Sequence, residues 1–217
     1  MARIAPGGLF YHVLNRGNAQ DRVFHDNADY RSFLGLMAKA GEKVPMRHLA
    51  YCLMPNHFHL VVRPEADGDL GRWMQWLLTT HVRRHHRRYG TSGHVWQGRF
   101  KSFVIQDDEH LLTVLRYVER NPLRARLVER AQDWSWSSAA NDLGGSPVPI
   151  TPGPVPRPAN WLDWLNETEP PGDLAALRRS IARDTPLGEA TWAQRIATRL
   201  GLQLKPRPRG RPRKEGR

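Results

Sequence analysis

The 217-residue chain contains a single cysteine, Cys52, and no long apolar run. One cysteine cannot form an intrachain disulfide, which fits a reducing compartment. No apolar stretch reaches the roughly 18 residues that a membrane span needs. An apolar leader that ends at a small-residue cleavage site is also missing. We therefore expect a cytoplasmic protein that is neither secreted nor bound to a membrane.

Acidic residues are outnumbered by basic ones, and the stretch from Leu70 to Gln106 has no acidic residue at all. The formal net charge is +12 and the sequence pI is near 10.8. Such a basic chain indicates a polyanionic partner, with nucleic acid first and an anionic membrane surface second. The acid-free stretch supplies a basic surface within folded sequence, made of Arg72, Arg83, Arg84, Arg87, Arg88, Arg99 and Lys101.

Composition divides the chain into four segments. Residues 1–140 form the predicted main domain, which is long enough to bury a core. Residues 141–160 contain six prolines, which predicts a semi-rigid, extended linker. Residues 161–203 predict short helices that pack on the main domain as a small accessory element. The basic segment 204–217 has almost no apolar content and is expected to be disordered.

The basic C-terminal segment is a candidate DNA contact. Its Arg-Gly-Arg-Pro core resembles an AT-hook, which places arginines in a narrow A·T-rich minor groove. Short basic strings also bind DNA without reading its sequence, and both alternatives stay open here. The segment predicts association with the nucleoid through Arg209, Arg211, Arg213 and Lys214.

Strand and helix patterns alternate within the main domain. Apolar and β-rich runs predict strands, and helical spacing predicts helices between them. The strands are expected at 9–17, 47–54, 57–62 and 93–105, and the helices at 28–44, 69–89 and 107–120. Only Pro55 and Asn56 separate the two middle strands, so these should form an antiparallel hairpin. The order of elements predicts an α+β fold with an antiparallel β-sheet and helices.

The stretch CLMPNHFHLVV, residues 52–62, holds two histidines separated by one residue. Side chains alternate across a strand, so His57 and His59 share one face while Phe58 and Leu60 take the core face. We expect the histidines on the more exposed face, about 7 Å apart and able to converge on one cation. Neutral imidazoles suit divalent ions, and Mg²⁺ or Mn²⁺ is accepted when phosphate and water supply oxygens. The pair alone is weak evidence and needs a third ligand and a substrate.

The third predicted helix offers a phenol and an amide four residues apart. Tyr117 and Asn121 lie at the edge of an apolar stripe, and Pro122 predicts that the helix ends near Asn121. A helix that ends beside the histidine face would bring these groups to the histidines. The alternative is that Tyr117 is a half-buried packing tyrosine.

Four ordered motifs carry a family resemblance. They are LNRGN near the start, MPN followed by His57-Phe58-His59, WQGRFKS at 96–102 and YVERNPLRARLV around Tyr117. Together they resemble the REP-associated tyrosine transposases, a branch of the single-tyrosine HUH transposases. The resemblance covers roughly residues 6–140 and implies a ferredoxin-like or RRM-like HUH endonuclease core.

The resemblance implies a metal-dependent enzyme that nicks and joins single-stranded DNA. Tyr117 matches the nucleophile, which attacks a phosphodiester and leaves a 5′-phosphotyrosine and a free 3′ hydroxyl. His57 and His59 match the metal pair and Asn121 matches the third ligand, with Mg²⁺ or Mn²⁺ as the cation. The implied substrates are imperfect palindromes folded as single-stranded hairpins. Whether the protein acts as a monomer or a homodimer stays open.

Further DNA contacts are expected on three elements. Arg16 and Asn18 flank Gly17, a glycine that either permits a nucleotide to approach the backbone or simply ends a strand. The aromatic residues Trp96 and Phe100 are expected in the core rather than stacked on bases. The candidate backbone contacts on the second helix and the fourth strand are Arg83, Arg84, Arg87, Arg88, Arg99 and Lys101.

Two other classes of function compete with this interpretation. A non-catalytic nucleic-acid-binding protein on an RRM-like sheet would use the same basic surfaces without a convergent tyrosine and histidine pair. A zinc hydrolase would need a set such as H-E-x-x-H, which the sequence lacks.

Overall fold

A four-stranded antiparallel sheet forms the centre of the molecule. The computed structural model describes residues 5–143, 145–169 and 171–202. The strands are β1 (Phe10–Arg16), β2 (Met46–Met54), β3 (His57–Pro64) and β4 (Lys101–Ile105). Their order across the sheet is β2-β3-β1-β4, and every pair is antiparallel. The predicted α+β class with an antiparallel sheet is confirmed.

Helices follow the strands in the predicted order. The main ones are α1 (Asn27–Lys43), α2 (Asp69–Tyr89) and α3 (Glu109–Glu119), and a short α4 (Asn121–Arg124) comes next. Beyond these lie α5 (Trp161–Asn166), α6 (Pro171–Arg183) and α7 (Ala190–Arg199). Asp26 caps α1 by accepting from the backbone N–H groups of Ala28 and Asp29, and Asp108 caps α3 by accepting from that of His110.

Both faces of the sheet are covered. One face carries Phe58 and Leu60 and packs against α1 and α2, while the other carries Val61 and packs against α3. The prediction that the histidine face is the more exposed one is therefore wrong. His59 keeps only 4% of its surface exposed, because α3 closes over it.

The fourth strand is shorter than its predicted range of 93–105. The ladder with β1 begins at Lys101, and the preceding residues run as irregular chain along the end of β1. Backbone N–H groups of Asn18 and Gln97 donate to Val95 and Arg16 carbonyls across that junction. Arg99 and Lys101 consequently do not share one continuous strand.

The glycine of the LNRGN motif, Gly17, is required because the backbone packs closely against neighbouring residues of the chain. A Cβ at Gly17 would lie 2.3 Å from the carbonyl oxygen of Asp21 and 2.7 Å from Val23. The Gly17 N–H donates to the Asn56 carbonyl at 2.8 Å. Asn56 in turn donates its side-chain amide to the Gln20 carbonyl at 2.8 Å. These bonds tie the loop after β1 to the hairpin turn before β3.

The C-terminal segments pack on both sides of the sheet, with α5 and α6 in the core on the α3 side and α7 in the core formed with α1 and α2. The backbone N–H of Thr151 donates to His48 in β2, and Leu187 pairs with Ile105 of β4. Trp161 and Leu165 of α5 are buried in the core beneath α3. No helix within the described residues is long and apolar enough to cross a membrane.

The buried carboxylate of Glu119, in α3, forms hydrogen bonds with residues of the segments that follow α4. Glu119 has no exposed surface and accepts hydrogen bonds from Ser138, Arg157 and Trp161 at 2.5, 2.8 and 2.7 Å. Its position two residues after Tyr117 turns it away from the histidines. The helix that carries Tyr117 is thus anchored by residues far along the chain.

We expect Glu119→Gln to lower the free energy of unfolding by about 3 kcal/mol, because Arg157 loses its charged partner in a desolvated site. Urea unfolding measures the change. Glu129→Gln, at an exposed position, is the matched control and should leave the midpoint unchanged. An equal midpoint in Glu119→Gln and the wild type would show that the anchor contributes little.

Candidate active site

A cavity of about 610 Å³ lies where β1 ends, β3 begins and α3 passes into α4. Tyr117, His57, His59 and Asn121 all line it. Ile181 of α6 contributes a further wall. The four residues singled out from the sequence for chemistry therefore meet in one place.

Tyr117 stands in the last turn of α3 and faces the histidines. Its ring centre lies 5.7 Å from that of His59, and the two planes are nearly perpendicular. The guanidinium of Arg124 lies over the phenol ring, 4.3 Å from its centre. Burial raises the pKa of the Tyr117 hydroxyl, while the Arg124 charge acts to lower it.

The two histidines are neutral imidazoles. Burial lowers the pKa of His57 to about 4, and burial with the neighbouring His12 lowers that of His59 well below its usual value. Neutral rings are the form that binds metals. Their ring centres are 5.1 Å apart. The pair is thus close enough, and in the right charge state, to share a cation.

The proton position on His57 follows from its neighbour. The amide nitrogen of Asn56 donates to the Gln20 carbonyl, so the amide oxygen must be the atom facing His57 Nδ1 at 2.7 Å. That oxygen only accepts, which requires a proton on Nδ1 and leaves the Nε2 lone pair free. This is the tautomer that a metal ligand needs.

Asn121 lies at the start of α4 rather than at the end of α3. Its amide nitrogen donates to the Tyr117 carbonyl at 3.0 Å, and its amide oxygen accepts from Arg124 at 3.3 Å. That oxygen is the group it could offer to a cation. Among the described residues no cluster of three or more His, Cys, Asp or Glu side chains could hold a metal. The two imidazoles and this amide oxygen could serve as cation ligands in the cavity, and substrate oxygens would have to complete the coordination.

Three residues near this site were not found by sequence reasoning. His12 in β1 lies 2.8 Å from His59, Asn56 orients His57, and Arg124 covers the phenol. Asn56 was assigned only to the turn. A polar residue within the apolar run around His12 was a usable signal, since a buried histidine needs a partner. Arg124 gave no signal beyond its place in the YVERNPLRARLV motif.

The predicted DNA contacts fall into four groups. Arg16, Arg99 and Lys101 line the cavity. Asn18 is exposed in the loop after β1. The arginines of α2 lie on the helix that packs on the opposite face of the sheet, and Arg88 is paired there with two aspartates of the α1 terminus. Those of the tail, Arg209, Arg211, Arg213 and Lys214, lie outside the described residues.

Sequence comparison identifies the family. The profile of the family described as Transposase IS200 like matches residues 7–121, more than half of the chain. The chain belongs to this family. The matched range runs from before β1 to Asn121, so it includes Tyr117, His57, His59 and Asn121.

Two proteins similar to this transposase are described as REP-associated tyrosine transposases. It is 30% identical over 149 residues to a Haemophilus influenzae protein assigned as a REP-associated tyrosine transposase, covering 63% of this chain and 82% of that one. A solved structure of a REP-associated tyrosine transposase bound to a REP hairpin matches with a TM-score of 0.54 and 19% identity. That match covers 71% of this chain and 96% of the other, and it shows the fold. The motif resemblance to REP-associated tyrosine transposases is confirmed.

Proposed function

We propose that this transposase cuts and rejoins single-stranded DNA beside hairpins of the REP type, through a covalent 5′-phosphotyrosine at Tyr117. The observation that carries the proposal is the convergence, in one cavity, of a phenol, two neutral imidazoles and several cationic side chains. A non-catalytic RRM-like binding protein has no use for that convergence. The solved relative bound to a REP hairpin supports the choice of substrate.

The chemistry is a transesterification at phosphorus. The Tyr117 oxygen attacks the scissile phosphate and forms an O–P bond, and the bond from phosphorus to the 3′ oxygen breaks. The leaving strand takes up a proton as a 3′ hydroxyl, while the phenol proton is lost to solvent. Because the phosphotyrosine keeps the ester bond, another 3′ hydroxyl can reverse the step without ATP.

We assign the cation site to His57, His59 and Asn121, with Mg²⁺ or Mn²⁺ as the ion. When bound, the ion would neutralise charge on the scissile phosphate and hold it for in-line attack. His57 holds the ligand tautomer without rearrangement, because Asn56 fixes its proton on Nδ1. Arg16 and Lys101 stand at the same cavity and are suited to hold flanking phosphates.

Arg124 is proposed to position the phenol and to contact the scissile phosphate. It lies over the Tyr117 ring, and Glu169 fixes its guanidinium through two close contacts at 2.7 and 2.8 Å. A planar fork held in this way cannot be replaced by a lysine ammonium. Glu169 lies between α5 and α6, so this segment contacts the cavity indirectly, by holding Arg124.

We expect Arg124→Gln and Arg124→Lys each to slow single-turnover cleavage about 100-fold, since charge and planar geometry are both needed. Quench-flow analysis with labelled hairpin DNA measures the rate. Arg179→Gln, at an exposed position on α6, is the matched control and should cleave normally. Full activity in Arg124→Lys would mean that only its charge matters, and full activity in Arg124→Gln would exclude it from the site.

The substrate proposal is tested by comparing a hairpin with an unstructured strand of equal length. We expect tighter binding and faster cleavage of the hairpin, with the cut in single-stranded sequence near the stem. Phosphate contacts alone would not discriminate these substrates strongly, so the preference should persist at raised salt. Binding titrations with Mn²⁺ and denaturing electrophoresis measure both properties. Equal binding and cleavage of the two strands would refute the REP-type substrate, although the tyrosine chemistry could survive.

The basic tail is proposed to add affinity without choosing the cut. Deleting residues 205–217 should weaken total DNA binding and flatten its dependence on salt, because fewer counterions are released. The cut position should not change. A shifted cut after this deletion would show that the tail takes part in recognition.

A further inference from the structure

His12 is a buried histidine that the proposed chemistry does not use. It lies in the middle of β1, has no exposed surface and pairs in register with Val61 of β3. Its Nε2 lies 2.8 Å from Nδ1 of His59, and the two rings stack with centres 5.0 Å apart. Among the described residues its other nitrogen, Nδ1, has no hydrogen-bond partner.

The contact with His12 leaves His59 only one nitrogen for a cation. Nδ1 of His59 is hydrogen-bonded to His12, so a cation must bind at Nε2 of His59. A free lone pair on Nε2 requires the ring proton on Nδ1, and that proton must then be donated to His12. If His12 instead donates to His59, the proton of His59 sits on Nε2 and blocks the ligand position.

His12 has the charge and the freedom to accept that bond. The ring has no exposed surface and its Nε2 contacts another imidazole, an environment that favours the neutral ring with one proton. When Nε2 accepts, the proton occupies Nδ1 as a buried N–H without a partner in the described chain. An unpaired buried N–H is costly. Both arrangements keep the hydrogen bond between His12 and His59, but only the one with the unpaired His12 N–H permits ligand binding, so cation binding must offset that cost.

We propose that His12 is a positioning residue that sets the tautomer of His59, accepting its Nδ1 proton so that Nε2 can bind a divalent cation. The inference rests on the proposed metal site. It makes His12 the counterpart of Asn56, which does the same for His57. The two differ in one respect, because the amide oxygen can only accept whereas His12 can also donate.

Cation binding is thereby coupled to a rearrangement of protons across the two rings. The shared proton moves from His12 Nε2 to His59 Nδ1, the His59 Nε2 proton leaves, and His12 Nδ1 gains one. Each ring carries one proton before and after, so no net proton is taken up. A residue that only accepts at this position would remove the unproductive arrangement.

The test measures Mn²⁺ affinity of the DNA-free protein by titration calorimetry. His12→Leu should weaken binding about 10- to 100-fold, as expected when the partner of a ligand histidine is lost. His12→Gln, whose amide oxygen can accept, should stay within about threefold of the wild type. His48→Leu is the matched control, because His48 is equally buried in β2 but packs against Trp73 on the α2 side. Wild-type affinity in a folded His12→Leu would overturn the inference.

A second measurement covers the case in which His12→Leu does not fold. Nitrogen-15 NMR of the Mg²⁺-loaded wild-type protein reports which His59 nitrogen carries the proton. A proton on Nδ1 supports the inference, and a proton on Nε2 overturns it. Equal Mn²⁺ affinities of His57→Ala and the wild type would instead show that the proposed metal site itself is wrong. Binding that depends on His57 but not on His12 would overturn the role of His12 alone.

Discussion

Tyr117→Phe is expected to abolish strand cleavage and the covalent DNA adduct, with a loss of at least about 10³-fold in rate. The substitution removes one oxygen and keeps the ring that packs against His59 and beneath Arg124. Folding and hairpin binding should therefore stay at wild-type levels. Denaturing electrophoresis with hairpin DNA and Mn²⁺ measures adduct and product together.

The control for this variant removes a tyrosine hydroxyl outside the cavity. Tyr89→Phe removes a hydroxyl that donates to Asp29 at 2.6 Å at the far end of α2, away from the cavity. It should cleave normally. Normal cleavage by Tyr117→Phe would refute the assignment of the nucleophile, and loss of cleavage in both variants would point to a general effect on folding.

His57→Ala and His59→Ala form the second prediction with a large effect. Each variant should lose at least about 100-fold in Mn²⁺ affinity and lose cleavage with it, because one of two imidazole ligands is gone. Calorimetry on the DNA-free protein measures affinity, and the cleavage assay measures rate. His59→Ala should also destabilise the fold more than His57→Ala, since His59 is the more deeply buried ring.

The matched control for the histidine variants is His86→Ala on α2. His86 is hydrogen-bonded to Thr91 and Gly93 at an exposed helix end, away from the cavity. Its removal should leave Mn²⁺ affinity and cleavage unchanged. If either site variant binds Mn²⁺ as tightly as the wild type, the ion is held elsewhere.

Local patterns were sufficient to predict the elements that build the site. Alternation across β3 placed His57 and His59 on one face, and Pro122 marked the end of the helix that carries Tyr117. The hairpin followed from the two-residue gap at Pro55 and Asn56. These features depend on neighbours in sequence, which is why they could be found without the structure.

Features that depend on pairing between distant segments could not be predicted. The contact between His12 and His59 exists because β1 inserts between β3 and β4, and no local pattern specifies that order. The prediction that the histidine face is exposed was wrong for the same reason, because α3 packs over that face. The predicted start of β4 at residue 93 was too early because Trp96 and Phe100 were taken as strand residues. Both are buried in the core, but the chain that carries them precedes the strand.

The central claim is a covalent bond between Tyr117 and DNA, and mass spectrometry of the trapped adduct tests it most directly. A hairpin substrate is incubated with the transposase and Mn²⁺, the DNA is trimmed with nuclease, and the modified peptide is sequenced. We expect the modification on Tyr117, attached through the 5′ phosphate, with a free 3′ hydroxyl on the released strand. An adduct on another residue, or a 3′-phosphate linkage, would contradict the account.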